Sequence, residues 1–204
     1  MFSLAELKER LRGYKLILAS GSPRRKELLA GLELPFEVRT IGGIDESYPS
    51  DLRGEAIPLH ISASKADAYA ETIAPDELII TADTVVCLDG LVLGKPHDRA
   101  DAISMLTSLS GRTHEVITAV TLLTARSRRQ FASTSRVTFA RLSPDDIAHY
   151  VDTYRPYDKA GAYGIQEWIG FIGVSGLEGS YFNVMGLPVQ RLYEELCEFL
   201  DKHC

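Results

Sequence analysis

Residues 115–142, EVITAVTLLTARSRRQFASTSRVTFARL, alternate apolar and polar side chains on both sides of a basic centre. Alternation of this kind predicts strands that bury one face. We therefore predict a long β-hairpin whose turn is the basic segment 126–129. The sheet must then contain antiparallel strands, and we interpret the basic tip as a solvated turn rather than a nucleic-acid contact.

Strand and helix patterns follow each other along the rest of the chain. Strands are predicted at residues 16–19, 34–40 and 78–83, and helices at 55–71, 98–109, from Ser143 onward and at 188–202. An Asp89–Gly90 pair after the third strand is typical of a tight hairpin. The order predicts an α/β fold of the mixed α+β kind. We expect a single domain, residues 1–204, with an N-terminal helical extension at 1–14.

Charge and cysteine content exclude several classes of protein. The chain has 204 residues and a net charge of −6, which disfavours a broad nucleic-acid interface. No stretch is long and apolar enough to cross a membrane, and the charged N-terminal segment is unlike a secretory signal. Cys87, Cys197 and Cys204 have neither zinc-site spacing nor the number that a disulfide framework needs. We expect a cytoplasmic protein.

The stretch LILASGSPRRKELL, which begins at Leu16, places two arginines in the first turn of a predicted helix. Ser22 is a candidate N-cap, with Pro23 at the first helical position. Because a helix N-terminus is partly positive, Arg24 and Arg25 indicate a compensating anion, most simply a phosphate. On this stretch alone, an ordinary strand-turn-helix with solvated arginines is an equally good interpretation.

Asp83 is the leading catalytic candidate because it ends a predicted buried strand, where open α/β sheets commonly place ligands. Taken alone, Asp83 is better explained as a cap, and Lys65 and Lys95 as solvated lysines. A polyphosphate site would draw its cations and donors from the following set: Ser22, Arg24, Arg25, Lys65, Lys95 and Lys159. Asp83 and Glu46 could hold a divalent metal or orient a water. The polar, glycine-spaced residues 157–166, YDKAGAYGIQ, predict a binding loop.

Four separated motifs resemble the Maf family of nucleoside triphosphate pyrophosphatases. They are ASGSPRRKELL, TADTVV followed by GKP, LSGRTHEVITAV, and DKAGAYGIQ followed by GSYFNVMGLP. The resemblance extends from Lys15 to Leu196 in the family's order of motifs. It implies the inosine triphosphate pyrophosphatase fold, which is an elongated mixed sheet with helices and a cleft between two lobes, commonly in a homodimer.

The resemblance also implies an activity. Family members hydrolyse a nucleoside triphosphate to the monophosphate and pyrophosphate with a divalent metal, Mg²⁺ or Mn²⁺. Asp83 matches the family's proton acceptor. Glu46 matches an acidic position of the cleft, so Glu46 and Asp83 are the expected metal ligands. The expected phosphate-binding residues are Ser22, Arg24, Lys65 and Lys95.

Base preference differs between subgroups of the family. Arg25, Thr84 and Gln166 match the discriminating positions of the subgroup that acts on dTTP and UTP. The Gln166 amide can pair with both the N3–H and a carbonyl of uracil or thymine, and modified pyrimidine nucleotides are further expected substrates. Two alternatives stay open: a pyrophosphatase for modified purine nucleotides such as 7-methyl-GTP, and a nucleotide-binding regulator of cell division or septum formation.

Overall fold

Eight α-helices and seven β-strands make up the described part of the chain, residues 3–203 of a computed structural model. The helices are α1 (Leu4–Leu11), α2 (Pro23–Ala30), α3 (Ala56–Ala70), α4 (Arg99–Leu109), α5 (Pro144–Tyr154), α6 (Trp168–Gly173), α7 (Tyr181–Met185) and α8 (Val189–His203). The strands are β1 (Lys15–Leu18), β2 (Glu37–Val38), β3 (Glu77–Leu88), β4 (Leu91–Leu93), β5 (Thr113–Leu123), β6 (Arg128–Phe139) and β7 (Val174–Glu178). A short 3₁₀ helix spans Ala160–Ala162.

The seven strands form one mixed sheet in the order β2-β1-β3-β5-β6-β7, with β4 paired to β3. Strand β1 runs parallel to both β2 and β3, and its Ile17 lies opposite Ile79. Strand β4 runs antiparallel to β3, and strand β7 runs antiparallel to β6. The predicted mixed α/β fold class is confirmed.

The chain divides into two compact units. The first unit comprises residues 3–83, 118–133 and 186–203, and the second comprises Thr84–Ile117 and Thr134–Met185. Three of the four boundaries fall inside β3, β5 and β6, and the fourth lies between α7 and α8.

A buried apolar cluster of the first unit consists of Ile17, Ala66, Tyr69, Ile79 and Leu123. It packs α3 onto the sheet. Apolar burial of this kind is the main driving force that fixes an amphipathic helix on a strand layer.

An aromatic cluster stabilises the second unit. The rings of His114, Phe139 and Tyr163 meet edge to face, with centroids 5.0 to 5.4 Å apart. The His114 Nε2 and the Tyr163 hydroxyl share a hydrogen bond of 2.7 Å. Because solvent is excluded, burial lowers the pKa of His114 to about 4 and raises the pKa of Tyr163, so both groups are neutral at pH 7.

Local chemistry explains the elements that the sequence predicted. Ser3, Ser22 and Ser143 each cap a helix through a side-chain oxygen that accepts a backbone N–H. Asp89 and Gly90 have φ of 50° and 79° and form the tight turn between β3 and β4. This pair of left-handed residues suits the twist of a two-residue hairpin, so that prediction is confirmed.

Strand β3 is longer than predicted. It continues through Leu88, so Asp83 lies within the strand and not at its carboxyl end. The expected end was wrong because residues 85–88 are apolar and buried and continue the ladder, and the first turn residue after Asp83 is Asp89.

The β5–β6 hairpin is confirmed, but its turn comprises residues 124–127 and not 126–129. The Thr124 hydroxyl accepts the backbone N–H of Arg126 and of Ser127, which closes the turn two residues early. Arg128 and Arg129 therefore open β6. They form ion pairs with Asp67 and with Glu195 and Glu198, so the basic tip is not simply solvated.

Two other segments depart from expectation. Most side chains of residues 159–165 are buried, so the predicted polar binding loop is largely a packed element. Helix α6, strand β7 and helix α7 had no counterpart in the prediction.

In the described residues, no helix combines the length and the apolar character of a membrane span. Of the three cysteines, Cys87 and Cys197 have buried free thiols, and Cys204 lies outside the described residues.

Candidate active site

The packing of α3 on β3 brings Lys65 to Asp83. Ser62 and Lys65 are three residues apart and share a helix face, and Thr81 and Asp83 are two apart and share a strand face. The Thr81 hydroxyl donates to the Ser62 carbonyl at 2.7 Å, and the Ser62 hydroxyl is 3.1 Å from that of Thr121. These buried hydrogen bonds fix one register between helix and strand.

Lys65 joins two carboxylates of the first unit. Its Nζ lies 2.8 Å from Asp83 Oδ1 and 2.8 Å from Glu46 Oε1. The side chains of Lys65 and Asp83 are 13% and 12% exposed, whereas that of Glu46 is 47% exposed. Because the inner pair has little water around it, its attraction is stronger than that of a surface ion pair.

The predicted cap and first turn of α2 are confirmed. The Ser22 Oγ accepts the Arg25 backbone N–H at 3.5 Å, and Pro23 opens the helix. The first turn contains no acidic residue that would interact favourably with the positive end of the helix dipole.

Arg25 turns back from this helix end. Its Nε donates to the Gly186 carbonyl at 2.8 Å, and its Nη1 donates to the Ser20 hydroxyl at 3.4 Å. Burial lowers the pKa of Arg25 and the nearby Arg24 charge lowers it further, while Asp83 and Glu46 raise it. Arg25 therefore lies within electrostatic reach of both carboxylates, in a cluster where cations outnumber acids.

The first unit thus contains most of the predicted site residues. They are Ser22, Arg24, Arg25, Glu46, Lys65 and Asp83. No group of three or more histidine, cysteine, aspartate or glutamate side chains suited to a metal occurs among residues 3–203. Glu46 and Asp83 are nevertheless both within 2.8 Å of one cation, the Lys65 ammonium.

The other predicted residues, Thr84, Lys95 and Gln166, belong to the second unit. Thr84 is half-buried within β3, and Lys95 is exposed after β4. The Gly94 carbonyl accepts the Gly161 N–H at 3.0 Å, which joins the Lys95 loop to the segment that carries Gln166. The Gln166 Oε1 is buried and accepts no hydrogen bond from the described residues.

Lys159 is a further predicted phosphate donor and also belongs to the second unit. It is buried, and its Nζ lies 2.7 Å from Asp158 Oδ1 and 3.2 Å from Glu167 Oε1. Glu167 also accepts a hydrogen bond from the Tyr150 hydroxyl. Sequence reasoning missed Tyr150, although the spacing of Ile147, Tyr150 and Val151 is typical of a buried helix face.

The sequence profile of the family described as "Maf-like protein" matches residues 15–199. The chain belongs to the Maf family. The match covers all four motifs quoted above, and it includes each residue of the first-unit cluster.

Several curated Maf relatives align over nearly their whole length. A protein of Phocaeicola vulgatus called dTTP/UTP pyrophosphatase is 62% identical over 92% of this chain and 97% of its own. Proteins of the same name from Bacteroides fragilis and Porphyromonas gingivalis are 58% and 52% identical, and cover 90% and 94% of this chain and 95% and 97% of their own.

Solved structures with the same fold are more distant in sequence. A HAM1 protein from Coxiella burnetii superposes with a TM-score of 0.51 at 14% identity and covers 91% of this chain and 99% of its own. The Staphylococcus aureus Ham1 protein gives 0.50 at 16% identity, with 89% and 99% covered. The expected fold related to inosine triphosphate pyrophosphatase is confirmed for this Maf chain.

Proposed function

We propose that the protein is a nucleoside triphosphate pyrophosphatase that hydrolyses dTTP and UTP, and modified pyrimidine nucleotides, to the monophosphate and pyrophosphate. The observation that carries the proposal is the Lys65 ammonium held at 2.8 Å from Asp83, close to the arginine-bearing start of α2. The names of relatives at 52 to 62% identity support the pyrimidine substrates.

Hydrolysis to a monophosphate requires a water to attack the α-phosphorus while pyrophosphate leaves. Asp83 is the candidate that accepts the water's proton, because its carboxylate is held on a rigid strand and largely shielded from solvent. The α-phosphorus–oxygen bridge to the β-phosphate then breaks, and the bond electrons remain on the pyrophosphate.

The developing charge on pyrophosphate needs cations and donors placed in advance. The guanidinium groups of Arg24 and Arg25, the Lys65 ammonium and the N-terminus of α2 supply them in the first unit. Ser22 offers its hydroxyl at the same helix start. Lys95, which is exposed in the second unit, is the remaining proposed phosphate ligand.

Glu46 and Asp83 also fit the donor chemistry of Mg²⁺ or Mn²⁺. Their oxygens already share one cation, and Mg²⁺ in nucleotide sites commonly takes one or two carboxylates together with phosphate oxygens. When bound, such a metal would neutralise phosphate charge. Glu46 and Asp83 are the proposed ligands, with Lys65 free to turn toward the phosphates.

Gln166 is the proposed base-reading residue. Its buried Oε1 has no donor among the described residues, and a pyrimidine N3–H would supply one. The amide nitrogen would donate to a neighbouring carbonyl of uracil or thymine. A thymine methyl adds little steric demand, so one site accepts both bases. Arg25 and Thr84 are proposed as the other specificity residues.

The buried free thiols Cys87 and Cys197 suit the reducing cytoplasm that we propose as the location. A nucleoside triphosphate is the proposed partner, and nucleic acid and membranes are not. We also propose a homodimer, which sedimentation of the purified chain would test.

The test is a release assay for pyrophosphate and orthophosphate over the common NTPs and dNTPs, with Mg²⁺ and with Mn²⁺. Pyrophosphate from dTTP and UTP in preference to all others is the expected result. Preference for a modified purine triphosphate would overturn the base assignment. Tight nucleotide binding without turnover of any substrate would overturn the enzyme and favour the division-regulator alternative.

A further inference from the structure

The segment 159–167, which carries Gln166, is closed at its base by an ion pair. Lys159 Nζ lies 3.2 Å from Glu167 Oε1, so the two ends of the segment are joined directly. The Lys159 and Glu167 side chains are only 10% and 20% exposed. An ion pair that is largely shielded from solvent is stronger than a surface ion pair, so it constrains the chain more.

Tyr150 fixes the interior of the same segment. Its hydroxyl accepts the Gly164 backbone N–H at 3.0 Å and donates to Glu167 Oε2. Tyr150 is fully buried on α5, and burial raises the pKa of its phenol. The phenol therefore stays protonated, and one hydroxyl joins the middle of the segment to its closing carboxylate.

Close backbone packing completes the restraint. A Cβ at Gly164 would lie 2.9 Å from Glu167 Cδ, and a Cβ at Gly161, whose φ is +68°, would lie 3.0 Å from the Val86 side chain. The Glu167 N–H donates to the Gly164 carbonyl at 3.0 Å. The backbone of the segment therefore has little freedom to rearrange around Gln166.

We propose that Tyr150 and Glu167 are positioning residues that set pyrimidine selectivity by fixing the 159–167 segment and hence the Gln166 amide. This inference rests on the proposed function, because it assigns the fixed amide to base recognition. Neither residue is proposed to contact the reacting phosphate. Each acts through Gln166, since a base-reading amide discriminates only when its two hydrogen bonds are held in one direction.

The test compares Tyr150→Phe with Tyr154→Phe. Tyr154 lies one turn along α5 and stacks on Tyr150 with ring centroids 5.0 Å apart, but it is partly exposed. Both variants lose one hydroxyl and keep the ring. Only Tyr150→Phe removes the acceptor of the Gly164 N–H and the donor to Glu167. Glu167→Gln is the second variant, because it keeps the shape of the side chain and removes the charge that pairs with Lys159.

Two readouts separate positioning from simple destabilisation. In Tyr150→Phe we expect faster hydrogen exchange at residues 160–167, with the exchange of β1 and α3 unchanged. We also expect the ratio of kcat/KM for dTTP to that for GTP to fall about tenfold, or about 1.4 kcal/mol, chiefly through KM for dTTP. Glu167→Gln should shift both readouts in the same direction, and Tyr154→Phe should shift neither.

An unchanged dTTP preference in Tyr150→Phe would overturn the inference, as would unchanged exchange at residues 160–167. Equal losses with dTTP and GTP would also overturn it, because they indicate a general structural role. A wild-type enzyme that turns over nucleotides with no pyrimidine preference would instead overturn the proposed substrate assignment. The hydrogen-exchange comparison would still test whether Tyr150 restrains the 159–167 segment.

Discussion

The two units of the chain hold their candidate functional groups by different means. In the first unit, charged side chains stand on regular elements, Lys65 on α3 and Asp83 on β3, and their placement follows from helix-on-strand packing. In the second unit, Gln166 stands on an irregular segment whose backbone is held by Tyr150 and by close glycine contacts. Substitutions that remove a charge in the first unit should therefore lower turnover. Substitutions that add a small volume in the second unit should instead lower the free energy of unfolding.

Asp83→Asn should give the largest effect. The amide keeps the size of the side chain but cannot accept the water's proton, so kcat should fall by about 10² to 10⁴. Nucleotide affinity, measured by titration with a product monophosphate, should change little, because the cations remain. Asp67→Asn is the control, since Asp67 lies on α3, the helix that carries Lys65, and its carboxylate is an exposed partner of Arg128. Turnover like that of the wild type in Asp83→Asn would remove Asp83 from the mechanism.

Gly170→Ala should show how tightly the second unit is packed. An added Cβ would overlap the Ile165 carbonyl oxygen, and backbone cannot yield as a flexible side chain does. We expect the free energy of unfolding in urea to fall by about 3 kcal/mol. Gly13→Ala in the first unit meets no atom within 4 Å and should change it by less than about 0.5 kcal/mol. Similar losses in both variants would refute the contrast.

Acid should destabilise the second unit through His114. Its pKa is lowered to about 4 in the folded chain, against 6.5 in the unfolded chain, because the imidazole is only 2% exposed. The unfolded state binds more protons between these values, so this contribution to the free energy of unfolding falls by about 3 kcal/mol from pH 6.5 to 4.

The measurement is the difference in unfolding free energy between wild type and His114→Gln across that pH range. The wild type should lose its advantage as the pH falls, and the difference should level off below pH 4. His97→Gln, which changes an exposed imidazole, is the control. A difference that does not depend on pH would show that His114 titrates normally in the folded chain.

Gln166→Leu should have a smaller effect, confined to base choice. Loss of two amide hydrogen bonds should reduce the dTTP:GTP ratio of kcat/KM by about 10- to 100-fold, with GTP turnover little changed. Competition assays with both nucleotides in one mixture measure this ratio directly. Gln190→Leu, at an exposed position of α8, should leave the ratio as it is. If Gln166→Leu keeps the wild-type ratio, base recognition lies elsewhere.

Local signals predicted the first unit well. Ser22 and Pro23 identified the start of α2, and helical spacing identified the helix that carries Lys65. The contact of Lys65 with Asp83 and Glu46 depends on the register of α3 on β3, which sequence periodicity does not specify. The position of Asp83 was misjudged for a related reason, since a buried strand continues for as long as its neighbours supply a ladder.

The second unit was harder to predict. Polarity and glycine spacing indicated a binding loop at residues 157–166, but tertiary packing buries most of residues 159–165. Glycine there permits close approach rather than exposure, as at Gly161 against Val86. The link between Tyr150 and Gly164 spans 14 residues and joins a helix to a loop. A side-chain contact of that kind leaves no periodic trace in the sequence.

The most direct test of the proposed mechanism is to hydrolyse dTTP in water enriched in ¹⁸O. Mass spectrometry of both products then shows which phosphorus the water attacks. We predict one ¹⁸O atom in dTMP and none in pyrophosphate, because water attacks the α-phosphorus. Label in the pyrophosphate would mean attack on the β-phosphorus, and would contradict the proposed arrangement of Asp83 and the phosphate-binding cations.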